Sequence, residues 1–283
     1  MSIQKMYMEV ELSIGTVTGT KKGVPETKQL NKDKNAISNA AKVYINTFGN
    51  NPKIKAVNDH AACVRKIYAN NTLAWGISNG RRVAPIGHVI NFLRPFFEEE
   101  EKKHKALVKE VIDNYSAIVV IAAKENGDLH DSRRILSVEE MESRYRFQYH
   151  VSSLADPNNS IVQASDAQSD QAVEDIKKDY EEEYRIREEK VEQENMARIE
   201  KSLTTLIKQC SENTRFSSTL LTNPIEVIAT ARGLDASGGL KVENVSRAVE
   251  SLCKNRNLDD IKNFETSREE IIVGTKEILA DYF

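Results

Sequence analysis

The sequence predicts an α+β protein, mainly helical, in which a small antiparallel sheet packs on helices and a long charged helix leads to a C-terminal helical cap. Three observations predict it. Apolar and polar residues alternate with period two in "YMEVELSIG" and again in "YRFQYHV", apolar residues recur at three and four over most of the remainder, and a charged, uninterrupted run begins near residue 171.

At 283 residues the chain can form one large domain or two small ones, with a substantial core in at least one. Apolar residues make up 40% and charged residues 29%, so the surplus charge belongs on exposed helix faces. A net charge of −3 argues against the basic body of a protein that coats duplex DNA, although it leaves room for a local basic patch. Cys63, Cys210 and Cys253 are far apart and have no ligand spacing, which predicts neither a disulfide framework nor a zinc site. The N-terminus lacks a signal-peptide pattern and no window reaches the roughly 18 apolar residues of a membrane span. The expectation is a soluble, cytoplasmic protein with no membrane contact.

Taken in order, Val10, Leu12 and Ile14 alternate with Glu9, Glu11 and Ser13 and predict the first strand. In residues 33–49, Ile37, Ala40, Ala41, Tyr44 and Phe48 fall at helical spacing and Gly49 suits a helix end, so a helix is predicted there. Pro52 starts a second helix over 53–70, with Ile54, Val57, Ala61, Val64 and Tyr68 on one stripe. From Ile86 to about Ala123 the pattern gives a long helix or two helices, with Pro95 kinking or beginning one. Ser137 followed by Glu140 is a capping-box match. "YRFQYHV" is a strand able to pair with the first. Residues 153–170 are polar and turn-forming and place a domain boundary: a mixed domain over 1–152, a linker over 153–170, and the helical region over 171–283. The long helix carries Val173, Ile176, Tyr180, Tyr184, Val191, Ile199, Leu203, Leu206 and Cys210 along one side, interrupted by Arg187 and Asn195. It is either a long exposed helix or a loose coiled coil. Short helices near 224–232, 241–256 and 264–281 form the cap.

The residues announce no reaction. "GTVTGTKKG" lacks the GK[ST] ending of a phosphate loop, the five histidines are scattered, and no GxSxG or HExxH is present. No catalytic residue, metal ligand or cofactor is predicted, and the expected class is non-enzymatic. Candidate contacts with a partner or with nucleic acid are Lys21, Lys22, Arg81, Arg82, Arg144 and Arg146. Arg144 and Arg146 alternate with Tyr145, Phe147 and Tyr149. That is a single-strand platform if the rings face out and an ordinary half-buried strand if they face in.

"NTLAWGISNGRRVAP", residues 71–85, interrupts the helices with the only tryptophan of the chain. Trp75, Gly80 and Pro85 are its expected structural anchors: a buried indole, a tight Asn-Gly turn, and a helix start. Thr72, Trp75, Gly80, Arg81 or Arg82, Pro85, Tyr115 and Phe147, followed by the acidic helix, resemble in order and spacing an uncharacterised phage and bacterial domain family. The resemblance spans about residues 8–205, with Ala74 where the family pattern has a proline. Members are often encoded near MoxR-like AAA+ ATPases and cobaltochelatase-like proteins with von Willebrand A domains. The resemblance therefore implies company rather than chemistry. The leading expectation is an adaptor or oligomeric scaffold working with a protein partner, possible as a homo-oligomer, with Tyr180, Tyr184 and Val191 at an association seam. A nucleic-acid-binding protein of phage replication or recombination, and a virion component, are the alternatives.

Overall fold

In the computed structural model the described residues are 6–37, 40–48, 50–75, 81–154, 170–212, 216–235, 240–254 and 256–283, with the side chains at 170–177, 180 and 184 outside the description. Gly49, Gly80 and most of the expected linker, residues 155–169, lie outside it too, as do the side chains of Tyr180 and Tyr184.

The fold is mainly helical, with a small antiparallel sheet packed against helices. Its strands are β1 (Tyr7–Ile14), β4 (Leu73–Ala74), β5 (Arg82–Pro85) and β6 (Phe147–Ser153), in the order β4-β5-β1-β6. The register pairs Tyr7 with Pro85, Glu9 with Val83 and Val10 with Arg82, so Val10 and Val83 lie on opposite faces of the sheet, and both are buried. A second pair, β2 (Thr20–Gly23) and β3 (Val43–Asn46), is also antiparallel. The helices are α1 (Val24–Asp33), α2 (Pro52–Asn70), α3 (86–113), α4 (Tyr115–Asn126), α5 (Val138–Arg144), α6 (Asp170–Ser211), α7 (Thr222–Leu234), α8 (Leu240–Lys254), α9 (Leu258–Asn263) and α10 (Glu265–Tyr282).

The expected helix over 33–49 is not formed by the described residues of that stretch. α1 ends at Asp33, Asn35 adopts a left-handed φ of 50°, and the following chain enters β3. Asn31 holds the turn by bonding Ala41 twice, donating from Nδ2 to its carbonyl at 3.2 Å and accepting its N–H at 3.1 Å. Such side-chain bonds compete with helix continuation, and the alternating Val43 and Ile45 suit a strand. Within α3, a π turn at Val89–Leu93 precedes Pro95, whose ring removes the N–H that an α-helix would donate to residue 91. The Ser137–Glu140 capping box forms in both directions, at 3.1 and 2.8 Å.

The chain divides into two compact units that are not consecutive in sequence. One contains residues 1–11, 69–94 and 150–283, the other 12–68 and 95–149. In the first, the second half of α6 packs on α7, α8 and α10 through Met196, Ile199, Leu203, Leu206, Val245 and Ile271. Each such side chain contributes about 1.5–3 kcal/mol on burial. In the second, Val17, Phe48, Val57, Val111, Ile118 and Met141 form the core. Gly15 serves a close approach there: its N–H donates to the Arg146 carbonyl at 2.7 Å, and a Cβ would lie 2.0 Å from the Arg144 oxygen. No helix among the described residues is long and apolar enough to cross a membrane.

Candidate functional site

The segment around Trp75 is built on the end of α2. The last carbonyls of a helix lack intrahelical partners and carry partial negative charge. Here two guanidinium groups take them. Arg198 donates to Asn70 and Ala69 oxygens at 2.7 and 2.9 Å and to the Thr72 oxygen at 2.6 Å. Arg82 reaches the Ala69 and Thr72 oxygens at 3.1 and 2.8 Å and the Thr72 hydroxyl at 2.6 Å. Glu194 pairs with both, at 2.7 Å from Arg198 and 3.2 Å from Arg82, and accepts the Ala74 N–H. Burial opposes ionisation of Glu194, but the Ala74 and Arg198 hydrogen bonds and the charges of Arg198 and Arg82 together outweigh it and hold the carboxyl below its ordinary value. The result is a clamp of two guanidinium groups, one carboxylate and the helix-end carbonyls that joins α6, β4, β5 and the end of α2.

Trp75 is buried beside this clamp, its backbone N–H donating to the Arg81 carbonyl at 2.8 Å and its ring 5.5 Å from the Arg187 guanidinium carbon. Pro85 is buried at the end of β5. His88 meets Asn71 Oδ1 at 3.1 Å and stacks on Phe92. The adjacent arginines thus have different fates: Arg82 is enclosed, whereas the side chain of Arg81 is 64% exposed and sits 3.4 Å from Glu9.

The remaining candidates are dispersed. Lys22 is exposed on β2 with Lys21 half-buried beside it. Arg144 and Arg146 are exposed, while Tyr145 and Phe147 between and after them are each only 8% exposed, so cations and rings turn to opposite sides. Burial pushes the Tyr145 hydroxyl up to about 12. Among the described residues no group of three His, Cys, Asp or Glu side chains converges to hold a metal ion.

α6 changes character along its 42 residues, which at 1.5 Å each span about 60 Å. From Lys178 to Lys190 every described side chain is exposed except half-buried Arg187. Here the helix is laced by its own ion pairs, Arg185 with Glu182 and Glu189, and Arg187 with Glu183. From Val191 onward one side is buried. Where the exposed arm meets the core, a cleft of about 410 Å³ opens. Leu73, Val191 and Leu234 supply apolar wall, and Glu188, Glu189 and Glu192 line it from the arm. Tyr7 braces it by donating its hydroxyl proton to the Leu234 oxygen at 2.8 Å. Val191 therefore lies in this wall, covered by its own chain.

Glu194 and Arg198 are the site residues that sequence reasoning passed over. An i,i+4 Glu-Arg pair on a charged helix looks like any other, and only the distant carbonyls of 69–72 distinguish this one. Thr72 was visible through the resemblance alone. Compared with known proteins, the chain matches no protein-family model, no curated protein and no solved structure.

Proposed function

We propose that the protein is a non-enzymatic adaptor or scaffold that docks a protein partner on the exposed arm of α6 and the cleft at its foot. The observation that carries this reading is the arm itself. A helix exposed at every described side chain but Arg187 gains little from burial, and its folding is supported by continuity with the packed half and by short-range ion pairs. Acidic residues outnumber basic ones along it, and the apolar wall of the cleft lies next to three glutamates. That pairing suits a basic, amphipathic partner segment: its cations face Glu188, Glu189 and Glu192 while an apolar side chain enters against Leu73, Val191 and Leu234.

A MoxR-like AAA+ ATPase is the partner implied by the family resemblance, and it is the first to test. Sedimentation velocity of the protein with such an ATPase should give a complex that salt weakens, because the contact is charged. Reversing Glu188, Glu189 and Glu192 to Lys should abolish it while far-ultraviolet circular dichroism stays unchanged. A complex indifferent to the reversal removes the arm from the reading. A wild-type protein that sediments as a monomer at all concentrations and joins no ATPase overturns the adaptor reading itself.

A further inference from the structure

We propose that β2, β3 and α1 form a second binding face, one that takes single-stranded nucleic acid. It goes beyond the docking reading and uses none of the same residues. The hairpin register sets Lys22 opposite Tyr44 and Thr20 opposite Asn46. Residues directly opposed across an antiparallel pair point to the same side, so these four share one face, and Ile45, on the other, is buried. Tyr44 is 62% exposed on that face. Lys42, exposed, stands two residues before it.

α1 lies along β3. The Thr27 hydroxyl accepts the Val43 N–H at 2.9 Å and Asn31 bonds Ala41, which leaves Lys28 and Lys32 exposed. The segment 20–48 carries Lys21, Lys22, Lys28, Lys32, Lys34 and Lys42 against two acids, Glu26 and Asp33, with Lys21 on the Ile45 side of the hairpin and Lys22 on the Tyr44 side. Glu26 meets Arg134, outside the segment, at 3.2 Å, and Asp33 accepts from Gln29 of the same helix at 2.7 Å, which leaves an excess of four cations. Among the described residues none of the six lysines has an ion-pair partner, whereas Lys53 and Lys55 on α2 and Lys103, Lys105 and Lys109 on α3 all do.

Unneutralised ammonium groups flanking an uncovered ring are what a flexible polyanion with exposed bases requires. The cations hold phosphates and release counterions, and the ring stacks on one base without regard to its identity. A duplex keeps its bases stacked and offers the ring nothing. An anionic membrane would satisfy the lysines too, and Val24, Leu30 and Ile37 of the same segment are exposed, but the strand neighbours of Tyr44 on its own face are polar Thr20 and Asn46, and the vesicle arm of the test separates the two.

The test uses the full chain and fluorescence anisotropy with labelled dT20 at 50 mM salt, alongside a 20-base-pair duplex and vesicles containing phosphatidylserine. The expected result is micromolar binding to dT20, weaker binding to duplex, and loss of affinity as salt rises. Tyr44→Ala should weaken dT20 binding about ten-fold, the loss of one stacked base. Lys22→Glu with Lys42→Glu should weaken it further and flatten the salt dependence. Lys103→Glu, on a paired helix lysine, should leave it unchanged. These side chains are exposed, and circular dichroism checks that each variant is folded. The proposal is overturned by no binding to dT20, by binding insensitive to Tyr44→Ala, by equal loss with Lys103→Glu, or by capture of vesicles and not of dT20.

Discussion

Acidification should destabilise the unit formed by residues 12–68 and 95–149 through one side chain, His104. It is 2% exposed, neither ring nitrogen has a hydrogen-bond partner among the described residues, and its ring centroid lies 5.6 Å from that of His60 and 5.6 Å from that of Phe147. Burial, then the charges of His60 and Arg65, push its pKa from 6.5 down to about 4. The unfolded chain therefore takes up this proton near pH 6.5 and the folded one only near pH 4. Stability is intact above 6.5, falls as pH drops through that window, and levels off below 4. At 1.36 kcal/mol per unit, the loss between pH 7.5 and 4.5 is about 2.5 kcal/mol. His104→Leu removes the titration. The assay is urea unfolding of both proteins at several pH values, followed by far-ultraviolet circular dichroism, because Trp75 belongs to the other unit. The difference between the two proteins should move by about 2.5 kcal/mol in the variant's favour over that range. Imidazole resonances should show one histidine titrating near pH 4. A difference independent of pH, or a His104 resonance titrating at 6.5, refutes the reasoning.

Further outcomes can be checked directly. Trp75→Ala should cost roughly 3–5 kcal/mol, read as a lowered unfolding midpoint by circular dichroism. Glu194→Gln leaves Arg82 and Arg198 facing each other without a counter-charge, and should cost about 2 kcal/mol by the Trp75 fluorescence transition; a neutral result would remove the clamp from the account. Arg81→Ala, at an exposed pair, should change the midpoint by less than about 1 kcal/mol in the same assay. Gly15→Ala should be strongly destabilising, because its methyl meets the Arg144 oxygen, and a variant as stable as the native protein would contradict the close approach.

The helices and strands with clean periodicity were legible from residues alone: β1, β6, α2, the helices of 86–126 and the Ser137 capping box. The stretch 24–46 was not. α1 buries Thr27 and Asn31 rather than an apolar stripe, so it leaves no periodic signal. The helical spacing of Ile37, Ala41 and Tyr44 is coincidental, since Ile37 and Tyr44 are both exposed. The clamp was half legible. Arg82 stood out beside a tryptophan, but its partner Glu194 lies 112 residues away and no local pattern joins them. Composition places a boundary in the polar stretch 153–170, yet the two units follow strand pairing and helix packing, which draw together segments from both ends of the chain.

That interleaving has a consequence during synthesis. Residues 12–68 and 95–149 supply everything the second unit uses, whereas the first unit needs α6, α7, α8 and α10, which leave the ribosome later. At about 5–20 residues per second, β1 and β5 emerge and then wait on the order of ten seconds for the helices that cover them. Tyr7, whose hydroxyl bonds Leu234, is separated from that partner by 227 positions. Over that interval the apolar side of the nascent sheet is open to other chains, and translation speed through the charged helix sets how long it stays open.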